Sequence, residues 1–213
     1  SCNGYFIRLG QELGPERVRE MAVRLGFGRA LNLADTLSTA AGQLPEAETL
    51  TSSGAFANFC FGQGELLATP IQIAAMMNTI AAGGIWREPL FLECTLEETT
   101  GEPLTALAHR GARRVFSAQT ARALRELLAS VVTEGTGHEA APTEGTAAGK
   151  TGTAQTGQFA AGKELKNYWF AGFYPARNPR YTIVVLQDSQ TGPSQTSAAI
   201  FARVCDALDA AGE

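Results

Sequence analysis

Three apolar, β-rich runs crowd into the last third of the chain and constrain its fold more than any other feature: 147–155, 168–174 and 181–186. Pro175-Ala176-Arg177-Asn178-Pro179 separates the second from the third. Five residues cannot hold the crossover that parallel strands require, so the runs predict an antiparallel meander. A helix follows at about 194–210, with Ile200, Phe201, Val204 and Leu208 recurring at helical spacing toward the sheet. A small antiparallel sheet with helices packed on it is an α+β design.

The upstream part is helical. The pattern predicts a helix at about 3–13, with Phe6, Leu9 and Leu13 on one face and Gly14 ending it. Pro15 opens a second, which carries Val18, Met21, Ala22 and Leu25. From 32 to 64 the pattern is irregular and reads as a long loop. Thr69-Pro70-Ile71-Gln72 is a helix start with two cues, proline at the first position and a Thr/Gln capping box. Ile73, Met76, Met77 and Ile80 follow as core positions, and Gly83-Gly84 stops the helix. Leu90, Leu92, Cys94 and Leu96 predict a strand that turns at 99–102 and returns past Leu104. Ser117 caps a helix running through Ala121, Leu124, Leu128 and Val132. The chain thus reads as one domain, with a helical lobe and loops over about 1–85 and a sheet with flanking helices over about 86–213.

Composition excludes several classes. A net charge of -4 without a basic run argues against nucleic acid as a partner. No apolar run approaches the ~20 residues of a membrane span. The chain opens on Ser1-Cys2-Asn3 without a signal-peptide pattern or initiator methionine, so it is expected to be a segment of something longer. The four cysteines form no CxxC pair, and with two histidines a zinc site is not expected.

Within the first β-rich run, Ala148-Gly149-Lys150-Thr151-Gly152-Thr153 combines a cation, two hydroxyls and a glycine that leaves room for a ligand. A phosphate loop would need glycine where Glu144 stands, and a dinucleotide fingerprint beginning at Gly62 would need glycine where Leu67 stands. His109 and His138 lie in polar turns and offer no triad.

Lys150-Thr151-Gly152-Thr153 on a predicted strand, with Ser1-x-Asn3 at a helix start, resembles the motif set of the serine transpeptidases called penicillin-binding proteins. Further stretches resemble the class B, monofunctional branch: Val131 to Gly137 before the Lys-Thr-Gly strand, Gly62-Gln63-Gly64 leading into Thr69 to Gln72, and Tyr168 to Phe173 as the next strand. The resemblance covers essentially the whole chain. It implies a peptidoglycan D,D-transpeptidase, membrane-anchored outside this segment and working on the extracytoplasmic side. Its serine attacks the D-Ala-D-Ala amide of a wall stem peptide, and an amine of a second strand displaces the acyl-enzyme. β-Lactams enter the same site. No cofactor is implied; other cell-wall synthesis or divisome proteins are implied as partners of the full-length protein.

By the same resemblance, Ser1 shuttles a proton and Asn3 orients the acyl side chain. Lys150 supplies positive potential, Thr151 and Thr153 bind the substrate carboxylate, and the Thr153 N–H is one oxyanion donor. Gly152 keeps the strand open to the peptide. Ser1 and Asn3 also suit a plain helix cap, the threonines suit any strand, and Gln63 reads as loop geometry.

One departure stands out. The positions three before the lysines are Ala147, Ala160 and Lys163, so no Ser-x-x-Lys nucleophile motif exists here. The chain is expected to begin just after that motif, to lack the first strands of the family's five-stranded sheet, and to be inactive alone. Run 181–186 is then an edge, expected to be covered by a second copy of the chain or by a neighbouring molecule in a crystal. A β-lactamase or β-lactam sensor of the same fold, or a non-catalytic binding module, are the rival readings.

Overall fold

The computed structural model describes residues 2–34, 36–92, 94–106 and 111–212. Ser1 and His109 lie outside the described residues.

Helix α1 (Asn3–Leu13) and helix α2 (Pro15–Arg24) form where the periodicity places them, split at Gly14, whose φ is 86°. The stripe of α1 is not its docking face. Phe6, Leu9 and Leu13 are exposed, and the helix packs through buried Gly10, where a Cβ would lie 2.2 Å from Cys60 Sγ. A helix that approaches its neighbour by a glycine hides its contact face from any hydrophobic pattern.

The stretch expected to be loop carries short elements: β1 (Asn32–Ala34), β2 (Leu37–Ser38), a 3-10 turn (Ala47–Thr51) and helix α3 (Ser53–Cys60). Ser52 Oγ caps α3, accepting from Ala55 N–H at 3.1 Å. Phe56 and Phe59 bury beside Leu50 and the half-buried Val18 and Ala22. Two buried side chains in eight residues do not establish a period, which is why the pattern missed α3.

Helix α4 (Pro70–Ala81) carries the full capping box. Fully buried Gln72 does more than cap. Its Oε1 accepts from Thr69 N–H at 2.8 Å, while its Nε2 donates to Arg29 O at 3.1 Å and Ala41 O at 2.9 Å. One side chain thereby pins two loops to the start of α4.

Four short strands follow, β3 (Ile85–Trp86), β4 (Cys94–Leu96), β5 (Pro103–Ala106) and β6 (Arg113–Arg114), paired β3–β6 and β4–β5. The strand expected from Leu90 shrinks to Cys94–Leu96, since Phe91 N–H goes to Leu33 O (2.9 Å). Trp86 is buried, donates to Leu25 O at 3.0 Å and lies under the Arg113 guanidinium, 3.9 Å from the ring centroid.

Helix α5 (Ala118–Thr133) starts at a Ser117 cap. It leads to the main sheet: β7 (Ala148–Ala160), β8 (Lys163–Tyr174) and β9 (Tyr181–Gln190), antiparallel in the order β7-β8-β9. β7 and β8 outrun the predicted runs because they continue as an exposed hairpin arm. It turns at Ala161 and Gly162, with φ of 48° and 76°. Helix α6 (Ser197–Ala210) starts three residues later than predicted, where Thr196 Oγ1 accepts from Ala199 N–H at 3.1 Å.

Helices cover both faces of the sheet. On one, Phe170 meets Phe201 of α6 edge-on, with Val132, Tyr174 and Cys205 around them. On the other, Ala148, Ala171 and Phe173 meet Met77 of α4, with Leu128 of α5 alongside. Double-sided burial explains why β8 reads as an unbroken apolar run instead of alternating. Among the described residues no helix is long and apolar enough to cross a membrane.

Candidate active site

The Lys150 segment lies on an outer strand of the main sheet. Its position rests on a pair of glycines directly opposite each other, Gly149 on β7 and Gly172 on β8. A Cβ on Gly149 would come within 2.5 Å of the Phe170 ring, and one on Gly172 within 2.3 Å of Ala148 O. The two strands close tightly here because neither residue has a side chain.

Lys150 is opposite Ala171, so it shares the sheet face of α4. Its half-buried ammonium donates to Thr151 O and Thr151 Oγ1, both at 3.0 Å. Burial pushes its pKa below the ordinary 10.5, because desolvation disfavours the charged form. Among the described residues no carboxylate pairs with it. The ammonium is thus held by one hydroxyl and one carbonyl of its own strand.

Two other segments reach this strand. The turn after α5 brings Thr136 Oγ1 to 3.4 Å from Thr151 Oγ1, a contact longer than a normal O–H···O bond. Gly137 shapes that turn, its N–H donating to Val131 O at 3.0 Å. From the segment after α3, Gln63 Nε2 donates to Thr153 O at 2.9 Å. Thr153 itself is exposed, and Gly152 sits over Trp169, where an added Cβ would lie 3.3 Å from Trp169 Cβ. Lys150, Thr151, Gly152 and Thr153 therefore form one ledge, with hydroxyls and a cation on an edge of β7 that no other strand pairs among the described residues.

The penicillin binding protein transpeptidase domain, as a family model, matches residues 1–206. The chain belongs to that family. It is 34% identical to penicillin-binding protein PbpB of Mycolicibacterium smegmatis, over 98% of this chain and 34% of that protein. It is 31% identical to stage V sporulation protein D of Bacillus subtilis, over 96% of this chain and 31% of that protein. Among solved structures, penicillin binding protein 3 of Mycobacterium tuberculosis, complexed with aztreonam, matches with a TM-score of 0.83 at 31% identity. That match covers 99% of this chain and 49% of the other. This transpeptidase-family chain spans about a third of the length of its two named relatives.

Two more residues are expected in the site, Ser1 and Asn3. Asn3 is exposed in the first turn of α1, and among the described residues no hydrogen bond joins it to Lys150. Ser1 falls outside the described residues. Two residues that touch the ledge are not site candidates in the sequence. Thr136 sits in a stretch recognised only as a motif, and Gln63 reads there as loop geometry. Gly62 and Gly64, at φ of 80° and 79°, were its one local signal: a polar amide between two residues free to adopt left-handed backbone is presented, not packed.

Proposed function

We propose that this chain supplies the carboxylate-binding and oxyanion side of a peptidoglycan D,D-transpeptidase site, as the C-terminal part of one class B transpeptidase domain. The observation that carries this is the Lys150 ammonium on a sheet edge, 3.0 Å from the Thr151 hydroxyl and without a carboxylate partner among the described residues. A stem peptide ending in D-Ala-D-Ala presents a carboxylate that fits this group. Lys150 gives the potential, and the hydroxyls of Thr151 and Thr153 give the hydrogen bonds. The Thr153 N–H stabilises the oxyanion formed when a serine attacks the penultimate carbonyl. Ser1 passes the proton to the leaving nitrogen and Asn3 holds the acyl amide. Gly152 keeps the ledge flat.

The aztreonam complex of the Mycobacterium tuberculosis relative supports β-lactams as ligands of the same ledge. The membrane anchor, the Ser-x-x-Lys nucleophile and contacts with other wall-synthesis proteins belong, in this reading, to the rest of a longer protein. β9, an outer strand of the sheet, pairs there or with a second copy of this chain.

The test is direct. The 213-residue chain is expected to form no serine-linked adduct with a fluorescent penicillin, and to bind an acyl-D-Ala-D-Ala peptide reversibly. Lys150→Ala should weaken that binding by about 10- to 100-fold, the worth of a charge-assisted hydrogen bond. A serine-linked mass increase, or unchanged affinity in Lys150→Ala, refutes the assignment.

A further inference from the structure

Gln63 is held as no ordinary loop residue is. Its N–H donates to Asn58 O at 2.9 Å, and the preceding Gly62 N–H donates to Phe59 O at 3.1 Å, so the backbone is fastened to the end of α3. The flanking glycines turn the chain sharply on either side. From this fixed base the side-chain amide reaches 90 residues along the chain to Thr153 O. Among the described residues it is the one side-chain hydrogen bond between the α1–α3 region and β7.

The acceptor it occupies matters. Residues two apart on a strand turn their carbonyls to the same edge. Ala148 O faces Gly172 of β8, so the carbonyls of Lys150 and Gly152 turn that way too. Thr151 O and Thr153 O turn to the other edge, where both accept from side chains, Lys150 and Gln63. They lie on the edge of β7 that has no neighbour in the order β7-β8-β9. An edge like this binds an extended chain by main-chain hydrogen bonds. The ligand N–H in register with Thr153 would need the carbonyl that Gln63 holds.

We propose that Gln63 is an internal stand-in for the ligand's backbone N–H, a gate that an extended peptide must displace to dock along β7. The identity of that peptide rests on the transpeptidase reading; the gate itself rests on the strand edge. Gln63 makes the edge selective. A ligand with an N–H in register replaces the bond it breaks, whereas a ligand without one pays for opening the gate and recovers nothing. The same contact covers a bare strand edge while no ligand is present.

Gln63→Met, which keeps length and loses the donor, and Gln63→Ala are titrated against three probes beside the unaltered chain. The probes are an acyl-D-Ala-D-Ala peptide, its analogue N-methylated at the backbone amides, and an ordinary L-peptide of equal length. Thermal unfolding is followed for each variant. The expected result is affinity for the unmethylated D-Ala-D-Ala peptide raised about threefold to tenfold in both variants, with the methylated analogue unchanged. If the L-peptide gains and the D-Ala-D-Ala peptide does not, the gate stands and the transpeptidase ligand falls. Equal gains for methylated and unmethylated peptide, no gain on any probe, or a loss of affinity alongside a lowered melting temperature each overturn the proposal, the last by making Gln63 a structural brace.

Discussion

Gly172→Ala puts the geometry under the Lys150 ledge to a quantitative test. The new methyl would lie 2.3 Å from Ala148 O, 3.0 Å from Gly149 Cα and 3.1 Å from Phe201 Cε2. The first contact is about 1 Å shorter than the ~3.3 Å at which carbon meets a carbonyl oxygen. The obstacle is backbone on one side and a fully buried ring on the other, so no flexible side-chain end can give way. Relief requires β7 and β8 to part locally, stretching ladder hydrogen bonds worth about 1 kcal/mol each. Added to overpacking of about 1–3 kcal/mol, the loss comes to about 3 kcal/mol. For a chain of this size that lowers the melting temperature by about 6–12 °C, readable by calorimetry or by circular dichroism. Gly152→Ala is the control. Its methyl meets Trp169 Cβ at 3.3 Å and its backbone has no positive φ, so the melting temperature should move by less than about 2 °C while peptide affinity falls. A Gly172→Ala protein that melts within about 2 °C of the parent, or a Gly152→Ala protein that melts as early as Gly172→Ala is expected to, would refute the steric reasoning.

Two further outcomes follow from buried polar groups. Gln72→Ala strips the partner from Arg29 O and Ala41 O and removes half the α4 capping box; chemical denaturation should show a loss of about 3–5 kcal/mol, and a loss under 1 kcal/mol would mean that water replaces the amide without cost. The second concerns alkaline pH. The hydrogen bond from Tyr174 to Asp209 at 2.6 Å, with burial second, pushes the Tyr174 hydroxyl up to about 12; burial first, with Asp206 and Asp209 nearby, pushes the Cys205 thiol up to about 12. Both groups hold their protons more tightly folded than unfolded, so their contribution is whole below about pH 9 and drains away as pH rises toward 12. Tyr174→Phe should flatten part of that decline, and an unchanged alkaline profile would count against the Tyr174–Asp209 bond.

What could be read along the chain is whatever its cause lies within a few residues. The Thr69/Gln72 box and Pro70 place α4, Ser117 places α5, and the three apolar runs with their short connection place the antiparallel sheet, each at or near the observed position. The Lys-Thr-Gly ledge was legible for the same reason, since its cation and hydroxyls are consecutive on one strand. The sequence alone therefore determined the fold class and which polar side chains stand together on this strand.

The remainder was decided by packing between distant segments. The apolar stripe of α1 faces outward because Gly10 allows its other side to touch Cys60, and a glycine leaves no mark in a hydrophobic pattern. α3 forms because Phe56 and Phe59 find Leu50 and Val18, not because their spacing announces a helix. Thr136 meets Thr151, and Gln63 meets Thr153, only once α5 and α3 are docked against the sheet. Caps and periodicity are local free energies written into neighbouring residues. A hydrogen bond spanning 90 residues depends on where whole elements come to rest, and that is set by the sum of the cores on both faces of the sheet.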